Sequence, residues 1–213
     1  MTHKLFWNDP YQTTLETEVT HVAGAEVEVR ETIFFAFSGG QESDSGSIGG
    51  YPVLEAQKQG VRIVYTLPAE HHLTPGMPVQ IRIDGARRYR LMRLHFAAEM
   101  VLQLVYQLKP GILRIGAHIS ADKARVDFAS DTSLAPLFAP IEAQALALIN
   151  SDLPIHTEFS DVAAERRFWR VDGFAQMACG GTHPRSTGEI GPLALKRKNT
   201  GKGKERIEVM LLT

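Results

Sequence analysis

Cys179 and His183 stand four residues apart in the stretch Cys179-Gly-Gly-Thr-His183. A soft thiolate and an imidazole on a loop loosened by glycine can close on one metal ion, and this is the ligand mixture that zinc prefers. Two ligands do not complete a site, so a second pair must come from elsewhere. His95 and Glu99 are also four apart, inside Arg87-Arg-Tyr-Arg-Leu-Met-Arg-Leu-His-Phe-Ala-Ala-Glu-Met-Val-Leu-Gln-Leu-Val-Tyr-Gln107. On a helix that spacing aims both side chains at one point. Carboxylate oxygen is an acceptable zinc ligand beside imidazole. A buried glutamate without a partner is costly, so a cationic neighbour is expected. A third polar group, Gln41, ends Ser38-Gly-Gly-Gln41, where glycines permit close backbone approach and the amide can donate to a bound group or a water.

The elements that must position these groups follow from periodicity. Leu91, Leu94, Ala98, Val101, Leu102 and Val105 obey helical spacing and predict a central helix over 87–107 with an apolar stripe that includes His95 and Glu99. Before it, Glu26–Phe37, Val61–Leu67 and Val79–Asp84 alternate as strands, with a turn at Pro75-Gly76. This predicts a small antiparallel β-barrel over residues 1–86. Residues 38–50 are too rich in glycine for a strand and read as a flexible crossover. After the helix, Pro110-Gly111 breaks the chain, and strands are expected at Leu113–Ser120 and Arg125–Phe128. A helix follows at Ile141–Ile149, with Pro140 in its first turn. Ile155–Phe159 reads as a strand, Ser160 as the cap of a short helix Asp161–Phe168, and Leu193–Leu212 as a hairpin turning at Asn199–Gly203. The expected fold is α+β, with the barrel followed at 87–213 by an α+β domain whose sheet packs on the central helix.

Composition bounds the function. The 213 residues carry a formal net charge of −1, so nucleic-acid binding would need a local basic patch. Six of the eleven residues from Lys196 to Arg206 supply one: Lys196, Arg197, Lys198, Lys202, Lys204 and Arg206. Cys179 is the only cysteine, which excludes an intrachain disulfide and favours a reducing, cytoplasmic setting. No apolar leader or membrane-spanning stretch is evident.

Four blocks in order carry a resemblance: Ser38-Gly-Gly-Gln41 with Asp44; Arg88 with Met92-Arg-Leu-His95; Cys179-Gly-Gly-Thr-His183; and Thr187-Gly-Glu-Ile-Gly191 with Asn199 and Gly201-Lys-Gly-Lys-Glu-Arg-Ile207. Together they resemble the editing region of alanyl-tRNA synthetase and the alanyl-tRNA editing proteins called AlaX, in particular the medium-length type. The resemblance covers nearly the whole chain and leaves no room for a synthetase core or its ATP site. It implies a zinc-dependent hydrolase that deacylates tRNA for alanine mischarged with serine or glycine. The metal ligands would be His95, Glu99, Cys179 and His183. The family normally has histidine where Glu99 stands, so a carboxylate here replaces an imidazole.

Selectivity for serine needs polar groups that alanine would leave unpaired. Gln41, Ser120, Asp127 and Thr182 are the candidates, for that role or for positioning the ester. The basic run, extended by Arg88, would meet tRNA phosphates, and the acceptor stem would be read mainly by shape. A non-catalytic acceptor-stem binding module and a hydrolase retargeted to another aminoacyl-tRNA are the rival readings. His71, His72 and His118 read as structural or surface residues.

Overall fold

The computed structural model describes residues 2–212. It is a strand-rich mixed α and β protein with two α-helices, and it divides into two compact units: Met1–Ser38 with Glu42–Tyr89, and Gly39–Gln41 with Arg90–Thr213. Among the described residues no helix is long and apolar enough to cross a membrane.

The first unit holds β1 (His3–Lys4), β2 (Thr14–Ala23), β3 (Glu26–Val29), β4 (Glu31–Thr32), β5 (Gly46–Ile48), β6 (Tyr51–Pro52), β7 (Glu55–Gln59), β8 (Arg62–Thr66) and β9 (Pro78–Ile83). Seven of these form one sheet in the order β6-β5-β9-β2-β3-β8-β7, and β1 pairs separately with β4. Margins β6 and β7 are consecutive in the chain, separated only by Val53 and Leu54, so the sheet must curl until its margins approach. Its apolar face closes over Val19, Val27, Phe34, Ile48, Tyr65 and Ile81, all fully buried.

Two expectations for this unit need correction. Residues 46–48, read as loop, form β5, because glycine is what the pairing demands: a Cβ at Gly46 would overlap the Arg82 carbonyl oxygen of β9. Arg88, read as a phosphate contact, is buried. Its guanidinium grips both oxygens of Asp44 and donates to the carbonyls of Ile33 (2.6 Å) and Pro10 (3.0 Å). Asp44 also accepts the Phe35 N–H at 2.7 Å.

Helix α1 (Gly85–Leu108) starts under Asp84, whose carboxylate accepts the Arg87 N–H at 2.9 Å as an N-cap. The stripe expected from spacing is the buried one: Leu91, Leu94, Ala98, Val101, Leu102 and Val105 are all core.

In the second unit that stripe joins one apolar core with β10 (Leu113–Ile119), β11 (Ala124–Ala129), α2 (Phe138–Asn150), β12 (His156–Asp161), β13 (Arg166–Val171), β14 (Ala175–Ala178), β15 (Leu193–Asn199) and β16 (Lys204–Leu211). The strands make two antiparallel sheets, β10-β11-β16-β15 and β12-β13-β14. The helix expected at 161–168 is instead the turn and returning strand of a hairpin. Arg167, Trp169 and Val171 are buried in alternation along β13, and the turn closes with Glu165 at φ 52°. Eight residues of moderate helix propensity cannot outweigh a cross-strand ladder that buries a tryptophan.

Candidate metal centre and editing site

His95 and Glu99 lie one turn apart on α1, buried at 4% and 7% exposure, and face the loop that follows β14. That loop is anchored where Cys179 donates its N–H to the Arg167 carbonyl at 2.9 Å. Its return is fixed by Thr187, whose hydroxyl donates to the Leu148 carbonyl at 2.6 Å and accepts the Leu153 N–H at 2.9 Å. Ser186 and Glu189 form a capping box around the 3-10 turn Thr187–Ile190. The Thr187–Gly191 block is thus a brace for His183. Phe96 lies edge-on to His183, with ring centroids 5.9 Å apart.

The four expected ligands converge. One donor atom from each of His95, Glu99, Cys179 and His183 lies within 4.8 Å of all the others. His95 Nε2 is 3.3 Å from Glu99 Oε1 and 3.5 Å from Cys179 Sγ, and His183 Nε2 is 2.9 Å from Glu99 Oε2. A tetrahedral zinc site has ligand–ligand edges of about 3.4 Å, so small adjustments would fit this set to one ion.

The electrostatics agree. Burial disfavours charge at every member, yet mutual attraction wins. His95 is raised well above its ordinary value, because Glu99 and Cys179 outweigh the burial. His183 is raised against burial by Cys179 and Glu99, and Glu99 is driven well below the carboxylate range against burial by His95 and His183. Burial and Glu99 would push the Cys179 thiol up, but the two imidazoles bring it down. The cluster therefore wants two anions balanced by two positive charges. Two imidazolium protons supply them; so does one divalent cation between neutral imidazoles. The Nε2 atoms of both rings face the carboxylate and thiol, while their Nδ1 atoms are buried without a partner among the described residues. The donor set fits zinc.

Gly181 sets the tightest constraint. A Cβ there would overlap His95 Cε1 and lie 2.5 Å from His95 Nδ1 and 2.8 Å from Gln41 Oε1. The glycine keeps open a gap between the cluster and Gln41. Gln41 is fully buried, donates its amide to Thr182 Oγ1 at 2.9 Å and accepts the Thr182 N–H at 3.2 Å. Two positioning candidates thus adjoin the cluster.

The other two do not join them. Ser120 is held in the β10–β11 turn, accepting the Lys123 N–H and donating to the Lys123 carbonyl. Asp127 lies on the opposite face of β11 from Val126, which lines the pocket beside His95, and it pairs with Arg206 and Arg125. Among the basic residues, Arg197 is clamped by both oxygens of Glu205 at 2.6 Å, while Lys196, Lys198, Lys202 and Lys204 are exposed. Cross-strand register puts Lys196, Lys198, Arg206 and Arg125 on one outer face of the four-stranded sheet.

Sequence pattern missed Arg167, which is 6% exposed and close enough to Cys179 for their charges to interact; burial lowers its pKa and the thiolate opposes this. Its signal was the alternation with Trp169 and Val171.

Residues 167–208 match the family model described as the second additional domain of threonyl and alanyl tRNA synthetases. The match contains Cys179 and His183 but not the α1 pair. An alanyl-tRNA editing protein AlaX-M of Methanosarcina barkeri is 30% identical over 243 residues, spanning 100% of both chains. The chain belongs to the AlaX-M family. A second AlaX-M protein, from Pyrococcus horikoshii, is 29% identical over 219 residues, covering 99% of this chain and 98% of that one. The alanine–tRNA ligase of Methanopyrus kandleri is 33% identical over 243 residues, which cover 97% of this chain but only 25% of the ligase. Relative to the AlaX-M proteins the likeness therefore runs end to end, and relative to the ligase it is confined to one region.

Proposed function

We propose that this chain is a trans-editing hydrolase that removes serine or glycine from mischarged tRNA for alanine, with zinc held by His95, Glu99, Cys179 and His183. The reading rests above all on the buried four-ligand cluster standing beside the Gln41–Thr182 pair, in a member of the AlaX-M family. Zinc bound there would supply a fixed positive charge toward an ester carbonyl.

The chain's own residues account for the preference for serine over alanine. Thr182 Oγ1 already accepts from Gln41, so its hydroxyl proton is the one left to donate. Given to the hydroxyl of a seryl ester, it is satisfied; beside an alanyl ester it stays unpaired in a dry site, which disfavours alanine. Arg167 places a guanidinium near Cys179, whose thiolate the two imidazoles favour. Lys196, Lys198, Lys202 and Lys204 are the phosphate contacts, with Arg206 oriented by Asp127 and Arg197 held as a structural clamp. The curled sheet of the first unit serves as the small barrel, and the second unit as the editing domain that receives the acceptor end. The setting is cytoplasmic, where Cys179 stays reduced.

The test is the deacylation rate on serine-charged tRNA for alanine, with alanine-charged tRNA as control. The expected result is loss of serine faster by on the order of a hundredfold or more. Loss of neither would overturn the reading.

A further inference from the structure

Arg114 has no place in the site described so far. It lines the same small pocket as His95, Glu99 and Gly39, is exposed, and is restrained by no hydrogen bond or ion pair among the described residues. We propose that Arg114 binds a backbone phosphate next to the aminoacylated 3′ nucleotide; this rests on the hydrolase reading above.

Its orientation is imposed by an irregularity. Along β10, Ile119 and Ala117 face inward, opposite Ala124 and Val126. Strict alternation would turn Gly116 out, Ile115 in and Arg114 out. The register slips between Arg114 and Gly116, and Arg114 pairs instead with Phe128, a fully buried core residue. One extra residue in the strand thus moves a guanidinium from the outer face to the pocket face. Bulges that re-aim a side chain are common beside active sites.

The chemistry selects the ligand. An aminoacyl ester carries an ammonium group, which a guanidinium repels. Its carbonyl oxygen gains negative charge during hydrolysis, but stabilising that charge calls for a donor shielded from water. Arg114 is at the open rim. Glu99, the carboxylate lining that pocket, is engaged by His95 and His183. What remains for an unpaired arginine at the rim is an anion brought in with the substrate, and the phosphodiester beside the terminal ribose is the nearest one. Arginine suits phosphate because its planar fork bonds two oxygens at once.

The test compares Arg114→Ala and Arg114→Lys on two substrates, serine-charged tRNA for alanine and the seryl ester of adenosine, which has the same ester and no phosphate. The expected result for Arg114→Ala is a rise of about tenfold to a hundredfold in KM for the charged tRNA, with kcat nearly kept. Arg114→Lys should be intermediate, and the loss should be confined to the phosphate-bearing substrate. An equal loss on both substrates, or no loss on either, would overturn the assignment. Should the wild-type protein hydrolyse neither ester, the hydrolase reading fails by itself. Arg114 is then judged by fluorescence anisotropy with an acceptor-stem RNA ending in CCA. A salt dependence shallower by about one charge in Arg114→Ala supports the contact, and an unchanged slope overturns it.

Discussion

Arg88 with Asp44 in the first unit, and His95, Glu99, Cys179 and His183 in the second, are both sets of ionisable groups taken out of water. The chain completes only the first. Arg88 and Asp44 meet in a bidentate pair, and their remaining capacity is absorbed by Phe35 N–H and the carbonyls of Ile33 and Pro10. The cluster of four instead turns two imidazole Nε2 atoms, a carboxylate and a thiol toward one common centre, a donor set that matches a metal ion. Burial and charge are alike in the two places. Saturation by the chain separates a pair that holds a fold from a constellation arranged for something the chain does not contain.

Gly181→Ala should break this contrast most severely. Its methyl group would push against His95, and because backbone and ring are both fixed, the ring must leave the cluster. Metal content by elemental analysis should fall from about one ion per chain toward zero, with deacylation down by a hundredfold or more. A variant that keeps both its metal and its rate would refute the ligand assignment.

Arg88→Ala should act on stability instead. Leaving Asp44 buried and unpaired costs about 3–5 kcal/mol, to be read by urea unfolding. The double change Arg88→Met with Asp44→Leu should recover only part of that, because Phe35 N–H and the Ile33 carbonyl still lose their partners. Full recovery would mean that those backbone groups find water.

Glu99→His sharpens the comparison from the other side, by replacing a carboxylate that balances charge with a neutral ring. Zinc should remain, because imidazole is as good a zinc ligand as carboxylate, and elemental analysis checks it; loss of the metal would mean that the negative charge of Glu99 is required.

The smallest effect concerns pH. The hydrogen bonds from Arg197 hold the Glu205 carboxyl below its ordinary value in the folded chain. The stabilisation is therefore full above the unfolded carboxylate value, near 4.5, and is lost as pH falls through the folded one. Arg197→Gln should lower the unfolding midpoint slightly at pH 7 and by less at pH 3. Equal losses at both pH values would assign the effect to packing.

How much of this was legible depended on whether a pattern was local. Six apolar positions at helical spacing identify α1 because all of them meet one core, and His95 and Glu99 travel with them. The C-terminal hairpin was equally open to reading, since its turn is glycine-rich and its strands alternate. Residues 161–168 misled because Ala-Ala-Glu-Arg-Arg reads as helix, whereas cross-strand pairing with β12 and burial of Trp169 decide the matter. Gly46 misled for a related reason: its need for a bare Cα comes from Arg82, thirty-six positions away. Arg88 looked like a free cation because nothing in its neighbourhood announces Asp44 as its partner. The bulge that turns Arg114 inward exists only once β11 has paired with β10.

The curl of the seven-stranded sheet bears on solubility in a crowded cell. An open sheet presents two rows of unpaired backbone groups, each able to template a strand from another molecule. Here one margin is the two-residue strand β6 and contains Pro52, which offers no N–H. The other, β7, runs Glu55-Ala-Gln-Lys-Gln59, polar at every position but Ala56, and only Val53 and Leu54 separate the two margins. The seven-stranded sheet is thereby left with little edge on which an aggregate could start.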